Sequence, residues 1–285
     1  NAGKCRCVKH LTGSEPLPEG SPMFTKALTY QFGIFFPEEA DVPRSLVSAV
    51  PNALQGTADR KYLLRGLKDP TSETSLVATG SGPLIQTQSQ VWTAGAGIWR
   101  IVAIRNRIDL YFDANTYKEV KDPDGLPPTV EEITSYIAPK IEDLLRSAGL
   151  KAIRLALVVG GQTEPDAQTG LSALVLQKRF PSSFGRPLTD GTIRLNVRGD
   201  WQVGKNPELV PVSMIETSSA NWVLNNKGPE TSFGWQADVN MLPSHDITEY
   251  SSEKGRISDF FRKAAEWISE RKFHTETLYA ESANH

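Results

Sequence analysis

The chain has 285 residues, of which 39% are hydrophobic and 22% are charged, and its 31 basic side chains nearly balance 33 acidic ones. This composition is typical of a folded domain and differs from that of a disordered chain. A protein that binds nucleic acid through phosphates is expected to carry a surplus of Lys and Arg, so we predict no nucleic-acid partner. The sequence has no apolar run of the roughly 20 residues that cross a bilayer. Its two cysteines fit a reducing compartment, so we expect a cytoplasmic protein.

Residues 1–22 differ from the rest of the chain because the stretch LTGSEPLPEGSP is rich in Pro, Gly, Ser and Glu. Such a composition buries too little apolar surface to offset the cost of ordering. We expect a disordered leader or an added extension, with Met23 as the natural start. The segment contains Cys5, Cys7 and His10, but a structural zinc site normally has four ligands in two separated pairs. No second pair follows in the sequence, so we predict no metal and no cofactor.

Residues 23–150 are predicted to form the first half of the fold. Apolar residues alternate in FTKALTYQFGIFF, which is typical of a half-buried strand. A short helix in VPRSLVSAVPNAL, interrupted by Pro51, follows. The alternating runs KYLLRG, TSLVAT, LIQTQSQVWT, GIWRIVAI and RIDLYFD then predict an antiparallel meander. The last two runs are joined by a polar turn at Arg105 and Asn106.

The clearest helix is predicted in TVEEITSYIAPKIEDLLRSAG. Thr129 and Glu132 have the spacing of a capping box, and Gly149 stands where a left-handed residue often ends a helix. Pro139 lies inside the apolar stripe, so we expect the helix to kink or split near Ala138.

Residues 151–273 are predicted to form the second half, and residues 274–285 a C-terminal tail. A strand in KAIRLALVV is followed by LSALVLQKRF, which is ambiguous between helix and strand. Further strands are predicted in GTIRLNVRGDWQV, ELVPVSMIETSS and TSFGWQADVNML, and the final helix in ISDFFRKAAEWISERKF. We predict an α+β fold with antiparallel sheets and amphipathic helices packed on one face, in two topologically similar halves. Whether the halves share one sheet stays open.

Three stretches of the chain have a likeness to known proteins. They are WRIVAIRNRIDLYFDANTY running into the predicted helix, the strand IRLALVV, and WQADVNM followed by FFRKAAEWI. From Trp99 onward the chain resembles a family of sporadically distributed, uncharacterised bacterial proteins of similar length. Members of that family have no agreed activity, so the resemblance implies no catalytic residues. It implies a bacterial mobile or defence-related locus as the cellular context.

No set of residues in the sequence matches a known catalytic pattern. Asp109 and Asp113 share one face of the strand RIDLYFD at a separation of about 13 Å, which is too far for a shared metal or an acid–base pair. We expect both on the solvent face, with Asp113 opening the next turn. Ser244, His245 and Asp246 are neighbours in sequence, so they cannot take the geometry of a catalytic triad. We predict no catalytic residues.

The best interaction candidates are arginines and aromatic residues, because both are enriched where interfaces concentrate their binding energy. One group lies on the meander, and the long loop RFPSSFGRPLTDG supplies another. The candidates are Trp99, Arg100, Arg105, Arg107, Phe184 and Arg186. The alternative for the meander arginines is a solvated hairpin tip whose charges pair with Asp109 and with glutamates of the following helix.

Two functions are compatible with this sequence. We expect first a non-enzymatic binding or regulatory protein that contacts a protein partner through the surface of a stable α+β body. The alternative is a small-molecule sensor or an enzyme, for nucleotides or metabolites, with a pocket between the two halves. Arg100, Tyr111, Arg154 and Asp238 are residues that would line such a pocket.

Overall fold

The computed structural model of the protein describes residues 26–38, 40–54, 62, 64, 66–78, 84–121, 128–162, 191–205, 209–225, 228–242 and 255–283. Within these residues the chain forms strands and helices in a mixed α+β arrangement. The strands are β1 (Lys26–Phe35), β2 (Thr71–Ala78), β3 (Leu84–Ala94), β4 (Trp99–Ile104), β5 (Arg107–Asp113), β6 (Arg154–Gln162), β7 (Gly191–Gln202), β8 (Leu209–Asn225) and β9 (Gly228–Met241). The helices are α1 (Val42–Leu54), α2 (Ala114–Lys121), α3 (Val130–Ala148) and α4 (Arg256–Ala283), with a short 3-10 turn at Gly95–Gly97.

The strands form one nine-stranded sheet in the order β2-β3-β4-β5-β1-β6-β9-β8-β7. Every neighbouring pair is antiparallel. Strands β1 and β6 lie side by side at the centre, and β5 and β9 flank them. In the first half of the chain, the first strand β1 therefore pairs with the last strand β5. In the second half, the first strand β6 likewise pairs with the last strand β9. The predicted antiparallel α+β fold is confirmed, and the sheet is continuous.

Alternation of side chains along the central strands builds the core. Tyr30, Phe32 and Ile34 of β1 are almost completely buried on one face. That face also carries the buried apolar residues of β5 and β6, because residues directly opposite in neighbouring strands share a face. Helix α4 lies against it, with the Phe261 ring 5.3 Å from the ring of Phe32 in an edge-to-face contact. We call this side of the sheet the helix face.

The four described helices pack on the helix face. Helix α3 lies between α1 and α4, α1 also contacts β4, and α4 contacts β6. In α2, the Tyr117 ring lies 5.5 Å from that of Phe112, a helix-face residue of β5. None of the helices in the described residues combines the length and apolar character that a membrane crossing requires.

Helix α3 has the predicted ends but no break. Thr129 and Glu132 make the reciprocal capping-box bonds, and Gly149 ends the helix in the left-handed conformation with φ of 66°. The helix continues through Pro139, so the expected split near Ala138 is wrong. An interior proline loses one backbone hydrogen bond, a cost that buried contacts with helices on both sides offset.

Three other expectations differ from the structure. Helix α1 also runs unbroken through Pro51, because buried residues from Val42 to Leu54 hold both of its ends in the core. The run KYLLRG forms no strand among its described residues; instead Tyr62 and Leu64 insert into the core from an irregular segment. Helix α4 extends to Ala283, into the residues expected to form a tail. The segments 1–22 and LSALVLQKRF lie outside the described residues.

Candidate functional site

The face of the sheet opposite the helices carries polar side chains at its centre. On β1 this face presents Gln31, Gly33 and Phe35, the residues between those that enter the core. We call it the polar face. The charged and amide side chains at its centre, together with one phenyl ring, form what we call the central polar cluster. Its members are Gln31, Phe35, Arg107, Asp109, Arg154, Asp238 and Asn240, which lie on the adjacent strands β5, β1, β6 and β9.

Two arginines lie against one phenyl ring in this cluster. Phe35 is the direct register partner of Arg107 on one side and of Arg154 on the other. Each guanidinium carbon is 4.6 Å from the centroid of the Phe35 ring. A cation at this distance over an aromatic face is stabilised by about 0.5–2 kcal/mol, depending on desolvation. The strand register thus brings two like charges together on the central ladder of the sheet.

Arg107 is already paired with a carboxylate. Its Nη2 donates a hydrogen bond to Asp109 Oδ1 at 2.8 Å, and its Nε lies 2.7 Å from Asp109 Oδ2. Gln31 Nε2 donates to the same Oδ1 at 3.0 Å. The Asp109 residue is only 3% exposed, so its charge depends on these partners. Asp109 therefore accepts hydrogen bonds from both Arg107 and Gln31, and the three side chains together carry no net charge.

Arg154 has a different environment from Arg107. Its Nη2 donates to the neutral amide oxygen Asn240 Oδ1 at 3.0 Å, and Asn240 Nδ2 in turn donates to Asp238 Oδ1. The Nε of Arg154 is buried and makes no hydrogen bond; the Nε of Arg107 makes none either, but it lies in charge contact with Asp109 at 2.7 Å. Burial lowers the pKa of the Arg154 guanidinium, the Asp238 charge opposes that shift, and the nearby Arg107 charge adds to it. Arg154 is a half-buried cation whose hydrogen-bonded partner is neutral.

The carboxyl group of Asp238 is also destabilised in its charged form. Burial raises the pKa of Asp238, while Arg154, Arg194, the Asn240 hydrogen bond and Arg107 act against the shift. Tyr111 lies on the polar face of β5, and its pKa is raised by burial and by the charge of Asp109. Ionisable groups with perturbed pKa values that share one surface are a recognised indication of a functional site.

Two small residues, Gly33 and Ala156, lie at the centre of the cluster, between Asp109 on one side and Asn240 on the other. Gly33 pairs with Asp109 on one side and with Ala156 on the other, and Ala156 pairs with Asn240. A Cβ placed on Gly33 would lie 3.4 Å from Asp109 Oδ1 and from a ring carbon of Phe35. A larger side chain at position 33 would therefore push on both groups.

The interaction candidates from the sequence divide between the two faces. Arg107 belongs to the central polar cluster, and Arg100 lies further out on the polar face, where it pairs with Glu73 at 2.7 Å. Arg105 is exposed in the turn between β4 and β5. Trp99 is fully buried on the helix face, and its Nε1 donates to the Tyr62 carbonyl at 2.7 Å. Trp99 therefore offers no surface to a partner. Phe184 and Arg186 lie outside the described residues.

Asp109 and Asp113, which were both expected on the solvent face of their strand, have different roles in the structure. Asp113 accepts hydrogen bonds from the backbone N–H groups of Asn115 and Thr116 and so caps α2, whereas the sequence predicted only a turn opened by this residue. Asp109 is buried, which corrects the expectation of a solvent-exposed residue. The reason is its central strand, where side chains from both neighbouring strands surround it. Ser244, His245 and Asp246 lie outside the described residues, as do Cys5, Cys7 and His10. The part of the chain that the structure describes contains no group of three metal-ligating side chains.

The structure places the four predicted pocket residues on the polar face. Arg100, Tyr111 and Asp238 fall in one cross-strand row, in which Gln31 and Val158 are the intervening register partners. Arg154 lies in the row that passes through Phe35. Sequence reasoning missed Phe35 and Asn240, because their roles depend on the β1–β6 and β6–β9 registers. Their only sequence signal was alternation, which put Phe35 on the face opposite Ile34.

Comparison with known proteins shows no family for this chain. No protein-family model and no curated protein matches the chain. Among solved structures it has a likeness to the crystal structure of the di-domain ARO/CYC StfQ from the steffimycin biosynthetic pathway. The identity is 8%, the match covers 90% of this chain and 99% of that chain, and the TM-score is 0.17. A likeness with so low a TM-score supports no statement about fold or function.

Proposed function

We propose that this protein binds a small anionic ligand, bearing a carboxylate or phosphate group, at the central polar cluster and that it acts as a ligand-dependent regulatory protein. One observation carries the proposal: Arg154 is a half-buried cation that lies beside a second cation and is bonded to a neutral amide. A guanidinium in such a position gains from an anionic partner, because desolvation strengthens charge-assisted hydrogen bonds.

The chemistry of arginine selects the ligand group. Its planar fork of N–H donors matches the two oxygens of a carboxylate or two oxygens of a phosphate. Arg107 already uses its fork on Asp109, whereas Arg154 uses Nη2 on an amide. An anion near Arg154 would also reduce the repulsion between the two guanidinium groups beside Phe35. Arg154 is therefore the anchor, whereas the charge of Arg107 is balanced by Asp109.

The neighbours of Arg154 limit the size and charge of the ligand. Asp109 and Asp238 are two carboxylates close to the anchor, and they would repel an extended polyanion. The phenyl ring of Phe35 holds the Arg154 guanidinium beside it and leaves the other donors of that group for a ligand. These features support a compact ligand with one acidic group. Such a site between the two halves agrees with the second function expected from the sequence. The protein partner expected first stays a prediction.

Thermal-shift and calorimetric titrations with small carboxylates and with inorganic phosphate test this function. We expect at least one of these anions to raise the Tm, since a ligand at 100 times its Kd adds about 2.7 kcal/mol of stability. The variant Arg154→Gln keeps a hydrogen-bonding side chain without the charge, and we expect it to lose the shift. Arg146→Gln is the matched control, because Arg146 lies on α3 and its side chain is 60% exposed in a simple pair with Asp143.

Two results would contradict the proposal. One is the absence of a shift with every anion in a correctly folded wild-type protein. The other is an Arg154→Gln variant that binds an anion as tightly as the wild type. Arg154→Lys separates charge from geometry: a lysine keeps the charge but not the fork, so we expect weaker binding that is not abolished.

A further inference from the structure

Strand β7 has a free edge in the described sheet. It pairs with β8 on one side and is the last strand in the sheet order. An edge strand presents unpaired backbone N–H and C=O groups, which can pair with another strand. Leu195 and Val197 of this strand are 43% and 44% exposed, although both are large and apolar. The opposite edge differs, because the exposed residues at the start of β2 are Thr71, Ser72, Glu73 and Thr74.

The two faces of β7 have different chemistry. Val197 is opposite Met214 and Leu195 is opposite Glu216 in the β7–β8 ladder, so both apolar side chains lie on the helix face. The intervening side chains lie on the polar face. They are Arg194, Asn196, Arg198 and Asp200, all exposed. Charges on an edge strand ordinarily protect it from pairing with other strands. Here their order along the strand favours one symmetric pairing over the others.

We propose that β7 pairs antiparallel with β7 of a second copy of this chain, with Val197 on the twofold axis. In that register Arg194 of each copy is opposite Asp200 of the other, which gives two pairs of opposite charge. The two Val197 side chains meet on the helix face, and Leu195 is opposite Gly199. Opposite charges facing each other across strands stabilise a ladder, and like charges destabilise it. The dimer is a continuous sheet with both polar faces on the same side.

Other symmetric registers fit this strand less well. Centring the pairing on Asn196 puts Arg194 opposite Arg198, and centring it on Arg198 puts two arginines opposite each other. Centring it on Gly199 pairs Arg198 with Asp200, but the shared ladder is then shorter because β7 ends at Gln202. That register places Arg194 outside the pairing. The response to a change at Arg194 therefore distinguishes the two registers.

Sedimentation equilibrium of the full chain over a range of concentrations tests the dimer. The wild type is expected to dimerise reversibly. Arg194→Asp and Asp200→Arg each turn two attractive pairs into repulsive ones, and we expect each to raise the dimer Kd about tenfold or more. The double variant Arg194→Asp with Asp200→Arg exchanges the charges and is expected to restore the wild-type Kd. Circular dichroism checks that every variant stays folded.

A second pair of variants tests the apolar contact. Val197→Lys puts two like charges on the proposed twofold axis and is expected to abolish the dimer. Val120→Lys is the matched control, because Val120 is 53% exposed on α2 and lies away from β7; it is expected to leave the Kd unchanged. A wild type that stays monomeric at every concentration would overturn the proposal. So would a dimer that responds to Arg198→Asp but not to Arg194→Asp, or one that Val197→Lys leaves intact.

Discussion

The two faces of the central strands differ in what they contribute. On β1, Phe32 and Ile34 are completely buried against the helices, whereas Gln31 and Phe35 contact charged side chains on the other face. Both sets come from one alternating segment of the sequence. The comparison shows that a single strand can supply an apolar core on one side and a charged surface on the other, because successive side chains point in opposite directions.

The two faces also differ in the type of interaction. Burial of a large apolar side chain contributes about 1.5–3 kcal/mol relative to exposure. A hydrogen bond contributes only about 0.5–1.5 kcal/mol net, but a buried polar group left without its partner costs more. We therefore expect the helix face to respond to loss of volume and the polar face to respond to loss of a partner.

The largest effect is expected from removal of an aromatic ring on the helix face. Phe32→Ala deletes a fully buried side chain that packs on Phe261, and it should lower the free energy of unfolding by about 3–5 kcal/mol. Phe35→Ala is the matched change on the polar face of the same strand. Because Phe35 is only partly buried, we expect a loss of about 1–2 kcal/mol. Urea unfolding measures both, and equal losses would contradict the division between the faces.

A smaller effect is expected from removal of the buried carboxylate. Asp109→Ala leaves Arg107 and Gln31 without their shared acceptor and should cost about 2 kcal/mol. Asp109→Asn keeps an acceptor oxygen, so it should cost less than the alanine variant. Asp143→Ala is the control on the surface of α3, where the side chain is 62% exposed in its pair with Arg146; a few tenths of a kcal/mol are expected. If Asp109→Ala lowers the free energy of unfolding no more than Asp143→Ala does, the buried pair adds no stability.

The smallest effect is a difference in pH dependence between two aspartates. Burial alone would raise the pKa of Asp259, on the helix side, but the hydrogen bond from Gly204 and the nearby Arg262 and Lys263 outweigh it and lower the pKa. Its stabilisation is therefore complete above the unfolded value of about 3.9 and is lost as the pH falls through the folded pKa. Asp238, on the polar face, has a raised pKa, so its effect on stability has the opposite sign.

Stability curves against pH for two variants measure this difference. Asp259→Asn is expected to lower the free energy of unfolding by about 1 kcal/mol at pH 7. On acidification the stability of this variant should fall less than that of the wild type. For Asp238, stability falls as the pH rises from about 3.9 through the folded pKa. Asp238→Asn is therefore expected to remove that decline. Parallel pH curves for both variants and the wild type would contradict the assigned signs.

Local sequence patterns predicted most elements and named Arg107, Arg154 and Asp238, but not the contacts that join these residues in the cluster. The capping box at Thr129 and the alternation around Phe32 depend on residues close in sequence, so both were predicted. Trp99 was predicted as an interaction candidate because aromatic residues are enriched at interfaces, but it lies on the helix face, opposite to its neighbour Arg100. The Phe35–Arg154 contact depends on a register between strands distant in sequence. Nothing in either strand alone predicts that register.

The central position of β1 has a consequence for synthesis of the chain. The partner of β1 on one side is β5, and its partner on the other side is β6, which is made later. At about 5–20 residues per second, ribosomes need on the order of seconds to extend the chain from Asp113 to Gln162. During that interval β1 is an outer strand with Tyr30, Phe32 and Ile34 along it. Because an unpaired strand with an apolar face favours aggregation, we expect the interval before β6 emerges to be the stage at which a chaperone protects the chain best.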